Sequence, residues 1–222
     1  MQQSEIFDVS YTNLTHLENN IPETVKKLNI SHNNITRIPE WSTLLSSLLE
    51  FHASKNTIAQ LPQFFNNPLL KIISLSYNNL DSRTIELARF ELLPHLQVLD
   101  LSFNCIVEFP VGCCGIAVRK LGLSNNKLKT LPSEFSRMKN LQYLGLGYNE
   151  FETVPQVLGE CGSLVGLNYA GNAVDENSFK LLKRLNVGVL SVFEGEGIEK
   201  FKGDGKKKKK KVGSMNSLDS AQ

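Results

Sequence analysis

The stretch LQVLDLSFNCI, residues 96–106, places leucines at Leu96, Leu99 and Leu101, an asparagine at Asn104 and an isoleucine at Ile106. The same spacing returns in LLKIISLSYNNL (69–80), VRKLGLSNNKL (118–128), LQYLGLGYNEF (141–151) and LVGLNYAGNAV (164–174). Two weaker copies are VKKLNISHNNI (25–35) and LLEFHASKNTI (48–58). The asparagines are Asn33, Asn56, Asn78, Asn104, Asn126, Asn149 and Asn172, separated by 23, 22, 26, 22, 23 and 23 residues. FDVSYTNL extends the series backwards with Thr12 at the asparagine position, and Val187, Leu190 and Val192 carry it forwards without an asparagine. Eight copies and a ninth, fading one, at so even a period describe an array of equivalent units.

Within each unit the alternating apolar pair has the period of a short strand with one face in the core. The asparagine follows from what comes next. The chain turns inward after the strand, leaving buried backbone N–H and C=O groups without ladder partners. A short amide can donate and accept, so asparagines stacked from unit to unit can satisfy those groups. Thr12 offers only a hydroxyl, which a terminal unit tolerates. Six residues after the asparagine comes a proline, at Pro39, Pro62, Pro110, Pro132 and Pro155. A fixed φ and no N–H donor suit an extended turn on the opposite, convex side.

One unit breaks the rhythm. DSRTIELARFELLPHL (81–96) lacks the leucine–proline step. Asp81 or Ser82 can cap a helix there, with Ile85, Leu87, Ala88 and Leu92 as its apolar positions and Pro94 as its limit. NAVDENSFKLLKRL (172–185) predicts a second helix, with Phe179, Leu181, Leu182 and Leu185 facing the core.

The pattern L-x-x-L-x-L-x-x-N-x-L resembles the leucine-rich repeats over roughly residues 5–198. The resemblance implies a right-handed α/β solenoid. Its concave face would be a curved parallel sheet, and its convex face would carry extended, 3-10 or short helical segments. The leucine–proline step is similar to the intracellular Ras-suppressor and Ras-scaffold branch, and less like the protein phosphatase-1 regulator type. This organisation assigns 1–200 to the repeat domain and 201–222 to a disordered basic tail.

The formal net charge is +2, but removing the six lysines from Lys206 to Lys211 leaves −4. A mildly acidic body does not make a nucleic-acid platform. No stretch reaches the ~18–20 apolar residues of a membrane span. Membrane contact would therefore be peripheral, through Lys206 to Lys211, and Gln2 excludes myristoylation. MQQSEIFDVS has no basic region followed by an apolar one, so no secretory signal is expected. The four cysteines form no terminal cluster, and Cys113 and Cys161 fall at core positions. Both features fit a reducing, cytoplasmic location, with the nucleus open to a chain bearing this lysine run.

No catalytic constellation is present. GDGK (203–206) and GEGI (195–198) lack P-loop spacing. His32, His52 and Glu50 fall on neighbouring strands without completing a metal set, and no cofactor is implied. The residues flanking the strand leucines point to the concave side. Among them Ile72, Tyr77, Val98, Phe103, Tyr143 and Tyr148 form an aromatic and aliphatic set suited to a protein interface. Asp100 and Lys120 would set charge register for the partner. Gly122, Gly145, Gly147, Gly166 and Gly171 either admit a partner closely or relieve crowding. At the N-terminal end, Ile6, Phe7 and Val9 have no amphipathic cap before them, so that edge is expected to be covered by a partner or to self-associate.

These features point to a non-catalytic scaffold or adaptor that binds another protein. The resemblance adds small-GTPase signalling as the pathway. The alternatives are a regulatory or targeting module of a protein phosphatase, or the repeat portion of a larger phosphatase or kinase.

Overall fold

A computed structural model describes residues 5–63, 65–173, 176–185 and 187–191, together with the short strands Glu199–Lys200 and Lys208–Lys209. Nine three-residue strands form one parallel sheet in chain order. They are β1 Ile6–Asp8, β2 Lys27–Asn29, β3 Glu50–His52, β4 Ile72–Ser74, β5 Val98–Asp100, β6 Lys120–Gly122, β7 Tyr143–Gly145, β8 Gly166–Asn168 and β9 Val189–Ser191. Each strand pairs with the next without slippage, so that Leu28, Phe51, Ile73, Leu99, Leu121, Leu144 and Leu167 stand in one line across the sheet. All seven are buried. A curved leucine-rich-repeat solenoid results, with its core sandwiched between the sheet and the convex turns.

The prolines act as expected on the convex side. Pro39, Pro110 and Pro132 hold an extended conformation, and Pro155 has φ -59° and ψ 123°, each at the start of a five-residue 3-10 helix. These helices are Glu40–Leu44, Val111–Gly115, Ser133–Arg137 and Gln156–Glu160. Cys113, Cys114, Phe135, Leu158 and Cys161 point inward from this side.

The 26-residue unit carries α1, Ser82–Ala88, capped by the Asp81 carboxylate, which accepts the Thr84 N–H at 2.7 Å. Ile85 and Ala88, three residues apart, face the core. The expected inward positions of Leu87 and Leu92 are corrected, since both are exposed. Leu87 sits two residues from Ile85, on the far side of a helix. Arg89 then adopts a left-handed conformation that ends α1, and Phe90 is the residue buried in the following turn. In α2, Glu176–Arg184, Leu182 is buried and Leu181 packs against the core beside it. Leu185, just past the helix, packs there too. The Phe179 side chain lies outside the described residues, as does Val192. Lys208–Lys209 pair antiparallel with Glu199–Lys200. The disorder expected for the rest of 201–222 falls outside the described residues.

One element ties the coils together. The Asn104 Nδ2 donates to the carbonyls of Leu75, Leu101 and Ser102 at 3.0, 3.0 and 3.2 Å. Its Oδ1 accepts the Leu80 N–H at 3.0 Å. Each amide thus holds its own coil's turn and the coil before it. The arrangement repeats at Asn56, Asn78, Asn126 and Asn149, whose Oδ1 atoms accept from Ile35, Ile58, Ile106 and Leu128. At the N-terminal end, Asn33 Oδ1 takes the N–H groups of Thr12 and Leu14. At the other end Asn172 departs from the pattern and accepts the Asn149 N–H instead.

Removing a central amide strands several buried groups at once. Asn104→Ala is expected to cost about 2–3 kcal/mol, read as a lower urea midpoint with an unchanged slope, whereas Asn172→Ala costs less because that site is part-buried.

Candidate protein-interaction face

The concave surface has two side-chain rows with a floor between them. The first row is the residue before each ladder position: Tyr11, His32, Lys55, Tyr77, Phe103, Asn125, Tyr148 and Gly171. All of them have positive φ, between 54° and 71°. That conformation costs an L-residue roughly 1–2 kcal/mol. The fold offsets it with backbone bonds into the next coil, such as Tyr77 N–H to Ser102 O at 3.0 Å and Phe103 N–H to Ser124 O at 2.8 Å.

Side-chain stacking adds to this. The Tyr77 and Phe103 rings lie 3.8 Å apart and 10° from parallel. Lys55 Nζ sits 5.7 Å from the Tyr77 centroid, a cation–π contact that extends the stack. Towards the N-terminal end Tyr11 stacks on His32 at 4.0 Å, and its hydroxyl lies 2.9 Å from His32 Nε2. The sequence reasoning missed that pair. An aromatic or cationic residue immediately before the ladder position was the available signal.

The second row opens each strand: Lys27, Glu50, Ile72, Val98, Lys120, Tyr143 and Gly166. Lys27 and His52 both reach Glu50 Oε2, at 3.2 and 3.1 Å. Burial opposes ionisation of Glu50, but the hydrogen bonds from His52 and Lys27 outweigh it and hold the carboxyl below its ordinary range. Ile72 and Val98 stand side by side in register. Lys120 Nζ lies 5.7 Å from the Tyr143 centroid. Six of the eight sequence-predicted residues, Ile72, Tyr77, Val98, Phe103, Lys120 and Tyr143, therefore fall in two adjacent patches, and Tyr148 lies apart, beyond Asn125. Tyr77, Tyr143 and Tyr148 are exposed, and the others are half-buried.

Asp100 is a correction. It is fully buried and displays no charge to a partner. Its Oδ1 accepts the Ser102 N–H at 3.0 Å, and the carboxylate leans over the neighbouring strand at Gly122. A Cβ at Gly122 would lie 2.3 Å from Asp100 Oδ1 and 2.8 Å from Ser102 Oγ. The other glycines are filled in the same way. Ser124 Oγ occupies the space at Gly145, the Asn168 amide that at Gly147, and the Tyr143 ring that at Gly166. At Gly171 the Tyr148 ring does so, beside a φ of +71°. The glycine run therefore relieves crowding within the sheet. The space it leaves is taken by this chain's own side chains.

His32 and His52 are engaged separately, with Tyr11 and Glu50 respectively. Among the described residues no three His, Cys, Asp or Glu side chains gather to hold a metal ion. Burial pushes the Cys113 thiol up to about 12 and the Cys114 thiol up to about 11, so both are inert packing groups. Among the described residues no helix is long and apolar enough to cross a membrane.

Comparison with known proteins matches the family described as "Leucine rich repeat" over residues 116–174, and again over 22–37 and 93–106. Lumican of Oryctolagus cuniculus is 35% identical over 151 residues, covering 67% of this chain and 77% of that protein. The chain belongs to the leucine-rich-repeat family. Lumican of Homo sapiens is 36% identical over 151 residues, and this leucine-rich-repeat chain spans 44% of its length. Adenylate cyclase of Schizosaccharomyces pombe is 31% identical over 159 residues, which are 69% of this chain and 9% of that protein. Among solved structures, the leucine-rich-repeat domain of a Shigella effector superposes with a TM-score of 0.62 at 22% identity, covering 82% of this chain and 76% of that one. A Leptospira interrogans leucine-rich-repeat protein gives 0.56 at 20% identity, over 83% and 66%. Both similarities concern the fold alone. Leucine-rich repeats generally mediate binding between proteins.

The fit between Asp100 and Gly122 is testable by a double-mutant cycle. Gly122→Ala is expected to destabilise by about 1–3 kcal/mol through overpacking. In an Asp100→Ala background the penalty should shrink by about 1 kcal/mol or more. Equal penalties in both backgrounds would show that the carboxylate does not fill that space.

Proposed function

We propose that this chain is a non-catalytic adaptor whose concave face holds another protein. The observation that carries the reading is the Tyr77–Phe103 stack, displayed with Tyr143 and Tyr148 on a sheet whose floor is already filled from within. Large aromatics on a rigid support give contact area at little ordering cost. Exposed or half-buried rings positioned by the next coil need no rearrangement to engage. Lys120, held over Tyr143, supplies a positive charge at the centre of the face.

The leucine–proline step favours a cytoplasmic setting and a small GTPase as the partner, by its similarity to the Ras-suppressor and Ras-scaffold repeats. The buried free thiols of Cys113, Cys114 and Cys161 are in keeping with a reducing compartment. A second reading, the repeat portion of a larger signalling enzyme, is favoured by one finding: the matched segment of the Schizosaccharomyces pombe adenylate cyclase is only 9% of that protein.

Affinity capture from native extract tests the first reading, comparing wild type with a Phe103→Ala/Tyr148→Ala variant of unchanged circular dichroism. Loss of a dominant bound protein is the expected result. Identical bound proteins for both forms would refute a site on the concave aromatics.

A further inference from the structure

The residue just before each strand forms a third row, at the rim. Between β4 and β7 it reads Lys71, Gln97, Arg119 and Gln142. The Gln97 N–H donates to Lys71 O at 2.8 Å, the Arg119 N–H to Gln97 O at 2.8 Å, and the Gln142 N–H to Arg119 O at 2.9 Å. These residues are therefore stacked along the rim at about one strand spacing, ~4.8 Å, per coil. Gln97, Arg119 and Gln142, with His95, Lys139, Asn140 and Ser163, line an open groove of about 370 Å³, and Lys71 is the next rim residue outside it. No carboxylate lines it.

The groove is positive on an otherwise mildly acidic body. Without Lys206 to Lys211 the chain carries −4. Four cations of the chain, Lys26, Lys27, Arg89 and Lys129, are each matched by a glutamate. Among the described residues, Lys71, Arg119 and Lys139 have no such ion pair. One residue further along the chain, the concave row presents Ile72, Val98, Lys120 and Tyr143. A rim bearing Lys71, Arg119 and Lys139 thus runs beside a concave row that is apolar at Ile72, Val98 and Tyr143 and cationic at Lys120.

We propose that this rim docks an acidic segment of a partner protein. Its carboxylates would lie along Lys71, Arg119 and Lys139, and its apolar side chains would rest on Ile72, Val98 and Tyr143. The proposal rests on the concave-face reading above and adds the partner's chemistry. Arg119 presents a planar fork that suits a carboxylate in two-point contact. A polyanion without apolar groups would use the cations and leave Ile72 and Val98 idle, so an acidic, partly apolar peptide fits both rows better than a nucleic acid does.

The test selects a phage-displayed library of random peptides, roughly a dozen residues long, on the full chain. Enriched peptides should combine Asp or Glu with aliphatic or aromatic residues. They should bind an Arg119→Glu/Lys139→Glu variant about tenfold or more weakly than wild type. Raising the salt should weaken them as well, because exposed charges are screened beyond about 8 Å at physiological ionic strength. An Arg119→Gln/Lys139→Gln variant guards against misfolding and should show a smaller loss in the same direction.

No enrichment, neutral or basic peptides, or indifference to the rim variants would overturn the proposal. So would a thymidine oligonucleotide of similar length that binds as tightly as the best peptide. Peptides that tolerate the rim variants but fail on Phe103→Ala/Tyr148→Ala would overturn it while leaving the concave-face reading intact. Rim-dependent peptides that ignore the Phe103 and Tyr148 changes would uphold it separately.

Discussion

The structure depends on how a side-chain amide deals with stranded backbone groups. A chain that turns inward after three residues of strand buries N–H and C=O groups that no neighbouring strand can meet, at a cost of about 1–3 kcal/mol for each one left bare. One asparagine per coil answers with three donor contacts and one acceptor contact, shared between its own coil and the previous one. This explains why the strands are so short and why they stay in register. It also explains why the leucines line up without help from long-range topology. In a solenoid each coil is stabilised by its neighbours only, so the amides set how strongly adjacent coils depend on each other.

The same turn creates the binding surface. Bringing the asparagine inward requires the residue before it to take a left-handed conformation, which projects that side chain along the edge of the concave face. Glycine or asparagine would be the least strained choice there. This chain uses them at Gly171 and Asn125, but places tyrosine, histidine, lysine or phenylalanine at the other positions. Stacking between successive coils, as in Tyr77 on Phe103, recovers part of the conformational cost and at the same time presents the rings rigidly. The structural requirement and the interaction surface are two consequences of one backbone geometry.

Much of this was legible in the sequence, because a repeat converts local spacing into tertiary position. The ladder asparagines and the convex prolines could be placed from the 22- to 26-residue period, and the helix cap was narrowed to Asp81 or Ser82. What could not be read was how far a side chain leans across to its neighbour. Alternation puts Asp100 on the solvent side of its strand, yet the missing side chain at Gly122 lets it lie down into the sheet, where it is covered. The glycines fitted either a close partner or relief of crowding until the atoms facing them were known. Leu87 was misplaced because it lies on the face of α1 opposite Ile85, and Leu92 because α1 stops at Arg89, so the helical period does not continue to it. The rim groove went unread because Arg119 and Lys139 belong to different coils and share a surface only in the folded chain.

The most direct test of the account is native-state hydrogen exchange at the amides that donate to the ladder. The N–H groups of Leu80, Ile106 and Leu128 give their protons to Asn104, Asn126 and Asn149. If the amide ladder fuses the central coils into one cooperative unit, all three should exchange only through global unfolding, with the same denaturant dependence. Exchange of these amides by separate local openings, at rates like those of exposed convex turns, would contradict it.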